Sequence, residues 1–212
     1  MLKKLTKAQQ DSILEHAIEE FGEKGLAKTT VSSIAAASGV SVGVIYKYYK
    51  NKEDLFQACL NYSMEMLGRV LEEAIRDSAS FREAVERLVH VCRIFPESHK
   101  GYIRMYHAIT MKSAADHAVD FAKKIETISA RTYETMFSKA KAAGELSAEI
   151  DSHAFAFFFD NLLMMFHFSF GCDYYEERLR IFLNCGDGAP PDGDGLEHAL
   201  VTFLCAAAGI RS

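Results

Sequence analysis

A short stretch near the N-terminus combines residue types that are suited to reading DNA. Lys47 can reach a phosphate or a guanine edge, and Val42 can contact a thymine methyl group. Gly43 lets the backbone approach a partner closely. Tyr46 and Tyr48 carry hydroxyls for phosphate oxygens, which fix the register of a protein on DNA without reading its sequence. These residues predict a helix whose exposed side enters a major groove.

Two short helices joined by a tight turn would position this stretch. One of the threonines at positions 29 and 30 is suited to cap the first helix, because its hydroxyl can accept a free backbone N–H. Gly39 can adopt the left-handed conformation that a tight turn needs, and Ser41 is suited to cap the second helix. Ile45 points inward on that second helix. The pattern is typical of a helix-turn-helix, although a helical hairpin that packs on another protein would look similar.

An N-terminal helix is predicted to brace the hairpin. Thr6 and Gln9 have the spacing of a capping box, and an apolar stripe reaches Phe21 before Gly22 and Gly25, where we expect the helix to end. After the hairpin, Asn51 is suited to cap a long helix that runs to about Asp77 without a linker. Movement of this connecting helix would therefore move the helix-turn-helix, which we call the reader.

Charge is distributed unevenly along the chain. Residues 1–52 contain eight lysines, no arginine and five acidic residues, a net charge of +3. The whole chain has 24 basic and 29 acidic residues, so the remainder carries −8. This distribution restricts electrostatic attraction for DNA to the N-terminal end.

The first quarter of the chain resembles the TetR family of transcriptional regulators. The resemblance is carried by the following residues: Phe21, Gly25, Thr29, Thr30, Ile34, Ala35, Gly39, Val40, Ser41, Gly43, Tyr46, Tyr48, Tyr49, Lys52 and Leu55. Three positions depart from the family pattern, namely Ser38, Tyr49 and Val42, and the last of these argues against a polar base contact from position 42.

The resemblance implies a set of residues that contact operator DNA. These residues are Thr30, Ser41, Gly43, Tyr46, Lys47, Tyr48 and Lys52. With Val42 from the residue pattern, they form the predicted DNA-binding surface. The resemblance also implies double-stranded DNA as a partner, repression as the usual mode, and a body that senses a ligand and dimerises.

The remaining sequence predicts an all-α fold with two domains, a helix-turn-helix DNA-binding domain at 1–50 and a helical effector-binding and dimerisation domain at 51–212. Ser80 and Glu83 open a helix that Pro96 follows, and Ser113 and Asp116 open a longer one. Asp151 caps a helix to Gly171. A mobile loop is expected at 186–195 and a final helix at 196–208.

The helix after Asp151 is apolar on nearly every side, which predicts a homodimer interface, since a small body cannot cover both faces. The predicted interface residues are Phe157, Met164, Phe168, Leu200, Phe203 and Leu204.

Aromatic residues and methionines are unusually frequent in the middle helices, which favours a pocket for a small apolar or amphipathic effector. The predicted pocket residues are Phe95, Tyr102, Met105, Tyr106, Tyr133, Met136 and Phe159. For any one of them alone, a place in the ordinary core is the favoured interpretation.

Other classes of protein are disfavoured. The sequence has no Gly-rich phosphate loop and no paired carboxylates at a plausible site, so we expect no enzyme, cofactor or metal. The most apolar run, 154–170, contains Asp160, Asn161 and His167, which argues against a membrane helix. Five scattered cysteines fit a cytoplasmic protein and leave a redox switch open. A helical scaffold for protein contacts without DNA binding remains the alternative.

Overall fold

The computed structural model describes residues 5–111, 115–185 and 191–210, and within these ranges the chain forms ten helices and no strand. The predicted all-α fold is confirmed. The helices are α1 (Lys7–Lys28), α2 (Val31–Ala37), α3 (Val42–Tyr48), α4 (Lys52–Ile75), α5 (Phe81–Ser98), α6 (Lys100–Met111), α7 (Ala115–Ala142), α8 (Ser152–Phe168), α9 (Asp173–Phe182) and α10 (Gly193–Ala207).

The chain divides into two compact units. The first comprises Met1–Met66 and His99–Ala118, and the second comprises Leu67–Ser98 and Val119–Ser212. The predicted N-terminal domain, residues 1–50, contains only α1 and the helix-turn-helix. The first unit also includes the start of α4 and the helix α6. The reason is that α6 packs along α1, a contact between segments about 80 positions apart that no local pattern reveals.

The helix-turn-helix forms for the local reasons that the sequence indicates. The Thr6 hydroxyl accepts from the Gln9 backbone N–H at 3.2 Å, and the Gln9 side chain accepts from the Thr6 backbone N–H at 3.0 Å, which closes the predicted capping box. The apolar stripe of α1 is buried from Ile13 to Phe21. The rings of Phe21 and Phe56 contact edge to face, with their centroids 5.0 Å apart. The start of α4, which contains Phe56, therefore closes this core.

The predicted end of α1 at Gly22 and Gly25 is wrong for Gly22, and at Gly25 the structure shows a break within the helix. The helix continues to Lys28 and is interrupted only at Gly25, where φ is +74°. Gly22 instead allows a close approach, because a Cβ at this position would lie 2.6 Å from the backbone oxygen of Gly101 in α6. The Glu19 carboxylate accepts from the Gly101 N–H at 3.1 Å in the same contact.

The second unit has one continuous core contributed by α4, α5, α7, α8 and α10. The helix α5 packs on both α8 and α10, and the Arg93 guanidinium binds the carboxylates of Glu197 and Asp194 in α10. Pro96 lies in the last turn of α5 rather than after its end, which corrects the predicted boundary.

Two boundaries near the C-terminus also differ from prediction. Residues 173–182 form a full helix, α9, where only a turn or two was expected near Leu179. The helix α10 begins at Gly193, capped by the Asp192 carboxylate, so the expected loop ends earlier than predicted. Residues 186–190 of that loop and the predicted capping residue Ser113 lie outside the described residues.

No single helix in the described ranges is long and apolar enough to cross a membrane. Only the pair α8 and α9 together has the length and composition of a membrane span, and the two helices are bent by 101° relative to each other.

Candidate nucleic-acid interface and effector site

The two helices of the reader are fixed by a cap and a glycine turn. The Thr30 hydroxyl accepts from the Ser33 backbone N–H at 3.1 Å and begins α2. Gly39 has φ of +66°, the left-handed conformation that the turn requires. Ser41 occupies the N-cap position of α3 with extended backbone, but its side chain makes no capping hydrogen bond, contrary to expectation. Its exposed hydroxyl can therefore bind another molecule.

The helix α3 has one buried side and one open side. Ile45 is buried and anchors the helix to the core of the first unit. Gly43 and Lys47 are exposed, and Tyr46 keeps 50% of its surface accessible. Val42 is half-buried at the start of the helix. The structure thus presents three of the predicted DNA-binding residues together on an open surface.

Among the described residues, nothing crowds the position that a Cβ on Gly43 would occupy. A Cβ at this position would meet only the Ser41 hydroxyl oxygen, at 3.9 Å, and the backbone conformation is not one that favours glycine. Glycine in a helix costs about 0.5–1 kcal/mol relative to alanine. A glycine that the fold does not need, on the open side of the helix, suits close approach by a second molecule.

Two other predicted DNA-binding residues form hydrogen bonds within the first unit. The Tyr48 hydroxyl accepts from the Leu5 backbone N–H at 2.7 Å, which leaves its own O–H available as a donor. The Lys52 ammonium donates to the carbonyl oxygens of Thr29 at 3.0 Å and Ala27 at 3.3 Å. Lys52 therefore holds the end of α1 in place, and a phosphate would compete with these carbonyls for it.

Sequence reasoning missed Lys50, which is exposed between α3 and α4. Its backbone N–H donates to the Asp54 carboxylate at 2.9 Å, which fixes the chain there. With Lys47 it gives this end of the unit two exposed positive charges. Lys50 is one of the eight lysines counted in residues 1–52, but no motif or spacing in the sequence distinguished it from the others.

The second unit contains a polar pair within an aromatic cluster. Tyr133 in α7 and Asp160 in α8 influence each other's ionisation. Desolvation raises the pKa of Asp160, against a lowering effect of Tyr133, and desolvation raises the pKa of Tyr133 well above its usual value. The rings of Tyr133 and Phe159 meet edge to face at 5.2 Å, and those of Phe155 and Phe159 lie 6.2 Å apart.

A second polar contact joins α8 to α5. His167 Nδ1 lies 2.9 Å from the backbone carbonyl oxygen of Cys92. The ring of Phe95 lies 6.0 Å from the imidazole. Burial lowers the pKa of His167 to about 4, so the imidazole is neutral at pH 7. Because a carbonyl can only accept, Nδ1 carries the proton and Nε2 is left as an acceptor.

The predicted effector residues divide between the two units. Phe95, Tyr133, Met136 and Phe159 belong to the second unit, where Tyr133, Met136 and Phe159 are buried in its core. Tyr102, Met105 and Tyr106 belong to α6 in the first unit. The set is therefore not one continuous group within either unit.

Asp160 and His167 were not predicted as effector residues. The available signal was their presence in the most apolar stretch of the sequence, 154–170, where a charged or titratable side chain needs a partner. The structure shows those partners on α7 and α5.

The predicted interface residues also divide. Phe157 and Phe203 keep 65% and 59% of their surface accessible, while Met164 and Leu200 are half-buried. Leu204 and Phe168 are buried within the chain itself, so little of their surface is accessible to a second copy. Phe158 and Leu162 on α8 are exposed and were not predicted.

No group of three or more His, Cys, Asp or Glu side chains in the part of the chain that the structure describes could hold a metal ion. The five cysteines are free thiols, and burial raises the pKa of the Cys92 thiol to about 12. A thiol with so high a pKa is a poor nucleophile.

Comparison with known proteins supports the helix-turn-helix assignment. The family model described as "Bacterial regulatory proteins, tetR family" matches residues 13–59. The chain is 31% identical over 94 residues to the uncharacterized HTH-type transcriptional regulator YhgD of Bacillus subtilis (strain 168), covering 44% of this chain and 49% of that protein. The chain spans less than half the length of the first curated relatives it matches.

Solved structures extend the similarity of fold to nearly the whole chain. The fatty acid degradation regulator FadR of Bacillus halodurans superposes with a TM-score of 0.72 at 18% identity, over 95% of this chain and 100% of that one. The transcriptional regulator FadR of Bacillus subtilis, in complex with stearoyl-CoA, superposes with a TM-score of 0.67 at 19% identity, over 95% and 100% of the two chains. At these identities the similarity shows a shared fold.

Proposed function

We propose that this chain is a sequence-specific DNA-binding transcriptional regulator of the tetR family of bacterial regulatory proteins, whose model matches residues 13–59. The observation that carries the proposal is the open side of α3. Gly43, Tyr46 and Lys47 are exposed there together, and Gly43 is a glycine that the fold itself does not require. The positive net charge of residues 1–52 is consistent with attraction to phosphates.

In this proposal α3 enters the major groove. Lys47 contacts a phosphate or a guanine edge, Gly43 brings the backbone close to the bases, and the tyrosine hydroxyls bind phosphates. Thr30 and Ser41 have exposed hydroxyls at the starts of α2 and α3, where they reach the DNA backbone. Lys52 contributes mainly by holding the end of α1, since its ammonium is bound to two carbonyls.

A homodimer would bring two readers to a palindromic operator. The proposed interface lies on α8 and α10, where Phe157, Phe158 and Phe203 are exposed. Exposed aromatic side chains of this size are costly in water and are enriched at interfaces. Half-sites read by two helix-turn-helix units lie about 34–36 Å apart, one turn of duplex.

Release from the operator is assigned to a small apolar or amphipathic effector. The helix α4 runs unbroken from Lys52 to Ile75, so it has residues in both units. Displacement of this helix by an effector would change the position of the reader and spoil the half-site spacing. Repression is the mode we propose, in the cytoplasm, where bacterial DNA is located, and we assign the chain no catalytic activity.

Selection of DNA from a random pool tests this function directly. The purified chain is incubated with duplexes of random sequence, and the bound fraction is amplified and sequenced over several rounds. We expect enrichment of a palindrome whose half-sites are one helical turn apart. Enrichment of no sequence would overturn the proposal and favour a scaffold for protein contacts. The Gly43→Glu variant is the matched control, since it should enrich nothing.

A further inference from the structure

The start of the described chain is fixed to the end of α3. The Leu5 backbone N–H donates to the hydroxyl oxygen of Tyr48, the last residue of α3, at 2.7 Å. The Leu5 carbonyl oxygen accepts from the Gln10 side-chain amide at 3.2 Å. The N–H and the carbonyl of this one residue are therefore bound, one to α3 and the other to α1. Together the two bonds set the place at which the chain enters α1.

Two lysines directly precede this fixed residue. Lys4 is bonded to Leu5, Lys3 comes before it, and the first acidic residue of the chain is Asp11. Both lysines lie outside the described residues, but consecutive Cα atoms are about 3.8 Å apart, so their Cα atoms are within roughly 8 Å of the Leu5 Cα. Half-sites on DNA are separated by a much larger distance, about 34–36 Å. Lysines this close to Tyr48 would therefore belong to the half-site that α3 reads.

The end of α3 that holds Leu5 is already positively charged. Lys47 precedes Tyr48, Lys50 follows it by two positions, and both lysines are exposed. Lys3 and Lys4 are joined to the same end through Leu5. Four of the eight lysines in residues 1–52 are thereby attached to one end of one short helix. Clustered lysines of this kind are typical of a surface that neutralises phosphates.

We propose that Lys3 and Lys4 form a basic arm that contacts DNA phosphates beside α3, and that Tyr48 is the residue that positions this arm. The role rests on the proposed function, since it requires that α3 lies against DNA. Phosphate contacts fix the register of a protein on DNA but carry no sequence information. The arm should therefore add affinity for any duplex and leave the choice of bases to α3.

An anchored arm has a physical advantage over a free tail. Ordering a flexible chain on binding costs conformational entropy, and each residue that is already fixed in the free protein reduces that cost. The bond between Leu5 and Tyr48 fixes the residue next to the lysines before DNA binds. Tyr48 accepts this bond with its oxygen, so its O–H can still donate to a phosphate. One tyrosine can thus hold the arm and contact DNA at the same time.

The double variant Lys3→Gln/Lys4→Gln tests the arm, because it removes two charges and keeps side chains of similar length. Binding to the selected operator and to a duplex of unselected sequence is measured by fluorescence anisotropy between about 50 and 200 mM salt. Each phosphate contact adds about 0.9 to the slope of log K against log salt, so the variant should lower the slope by about two on both duplexes. Over this range the wild type should lose roughly tenfold more affinity than the variant. An unchanged slope would overturn the proposal.

Lys123→Gln/Lys124→Gln is the matched control, because it removes two adjacent lysines that are exposed on α7 in the second unit. We expect this control to keep the wild-type slope. An equal fall in slope would mean that net charge rather than the arm is responsible, which contradicts the proposal. Enrichment of a different palindrome by Lys3→Gln/Lys4→Gln would contradict it too, since the lysines would then read base edges.

A double-mutant cycle tests whether Tyr48 positions the arm. Tyr48→Phe keeps the ring and removes the acceptor for the Leu5 N–H. Loss of the two lysines should weaken binding less in the Tyr48→Phe background than in the wild type, by at least roughly twofold. Equal effects in the two backgrounds would refute the positioning role. If thermal melts show that Tyr48→Phe does not fold, Gln10→Met, which removes the donor to the Leu5 carbonyl, replaces it in the cycle.

Failure of the arm and failure of the regulatory function give different results. A chain that enriches a palindrome but keeps its salt slope in Lys3→Gln/Lys4→Gln would refute the arm and leave the regulatory function standing. A chain that enriches no palindrome, but whose slope on unselected DNA falls in that variant, would refute sequence-specific regulation and leave the arm standing as a phosphate contact.

Discussion

His167 in α8 donates a hydrogen bond from Nδ1 to the backbone carbonyl oxygen of Cys92 in α5, at 2.9 Å. The two residues are 75 positions apart in the sequence, so this bond ties together two helices of the second unit. Desolvation lowers the pKa of the imidazole to about 4, although the bond to the carbonyl acts in the opposite direction. The neutral imidazole is therefore part of the folded structure.

This pair predicts a dependence of stability on pH. The folded-state pKa of His167 lies below its ordinary value of 6.5, so the unfolded chain takes up a proton first and protonation favours unfolding. The contribution is unchanged above pH 6.5 and is lost as the pH falls from 6.5 towards 4. Between pH 7 and pH 5 the free energy of unfolding should fall by up to about 2 kcal/mol from this residue.

The measurement is urea denaturation of the wild type and of His167→Asn at both pH values. The amide of asparagine can donate to the Cys92 carbonyl but does not titrate. We expect the wild type to lose more stability than the variant on acidification. Equal losses would mean that His167 is not the residue responsible.

Gly43 allows DNA binding to be separated from folding. Gly43→Ala places a Cβ in ordinary contact with the Ser41 hydroxyl oxygen, at 3.9 Å, so the helix should gain about 0.5–1 kcal/mol while close approach to DNA is hindered. Gly43→Glu adds bulk and negative charge at the same point and should abolish binding to the selected operator. Thermal melts and fluorescence anisotropy measure the two effects. Full operator affinity in Gly43→Glu would place α3 outside the groove.

Lys47 is expected to contact a phosphate. Lys47→Ala should weaken binding and lower the slope of log K against log salt by about one, because each phosphate contact releases counterions. Lys139→Ala removes an equally exposed lysine from α7 and should leave both quantities unchanged. An unaltered slope in Lys47→Ala would remove this residue from the set of contacts.

The proposed dimer interface is tested by charge insertion. Phe157→Glu and Phe203→Glu place a carboxylate on the exposed aromatic surface of α8 and α10 and should shift the chain towards monomer in sedimentation equilibrium. Ile181→Glu is the control, since Ile181 is equally exposed but lies on α9. Dissociation by Ile181→Glu alone would place the interface on α9.

Much of the reader was predictable because its determinants are local. A cap at Thr30, a left-handed glycine at position 39 and an inward isoleucine at position 45 act over three or four residues. The all-α fold follows from the same short periodicities. The exposed side of α3 is their direct consequence, since burial of Ile45 leaves Gly43 and Lys47 on the opposite side.

The sequence could not decide which contacts form between distant segments. Gly22 and Gly25 predicted a helix end, but Gly22 lies inside α1, and α6 packs against it there at Gly101. Periodicity could not show which side of an apolar helix its own chain covers, so Phe168 and Leu204 were assigned to an interface although they are buried.

By itself, then, the sequence determined the helices, the reader and the charge at its end, because capping, turn geometry and amphipathic spacing depend on neighbours along the chain. Only the tertiary structure decided that Asp160 and Tyr133 influence each other's ionisation, that His167 meets Cys92, and that Phe157 and Phe203 stay exposed. These relationships depend on how helices far apart in the sequence pack, and packing is chosen by the fit of whole surfaces rather than by any local pattern.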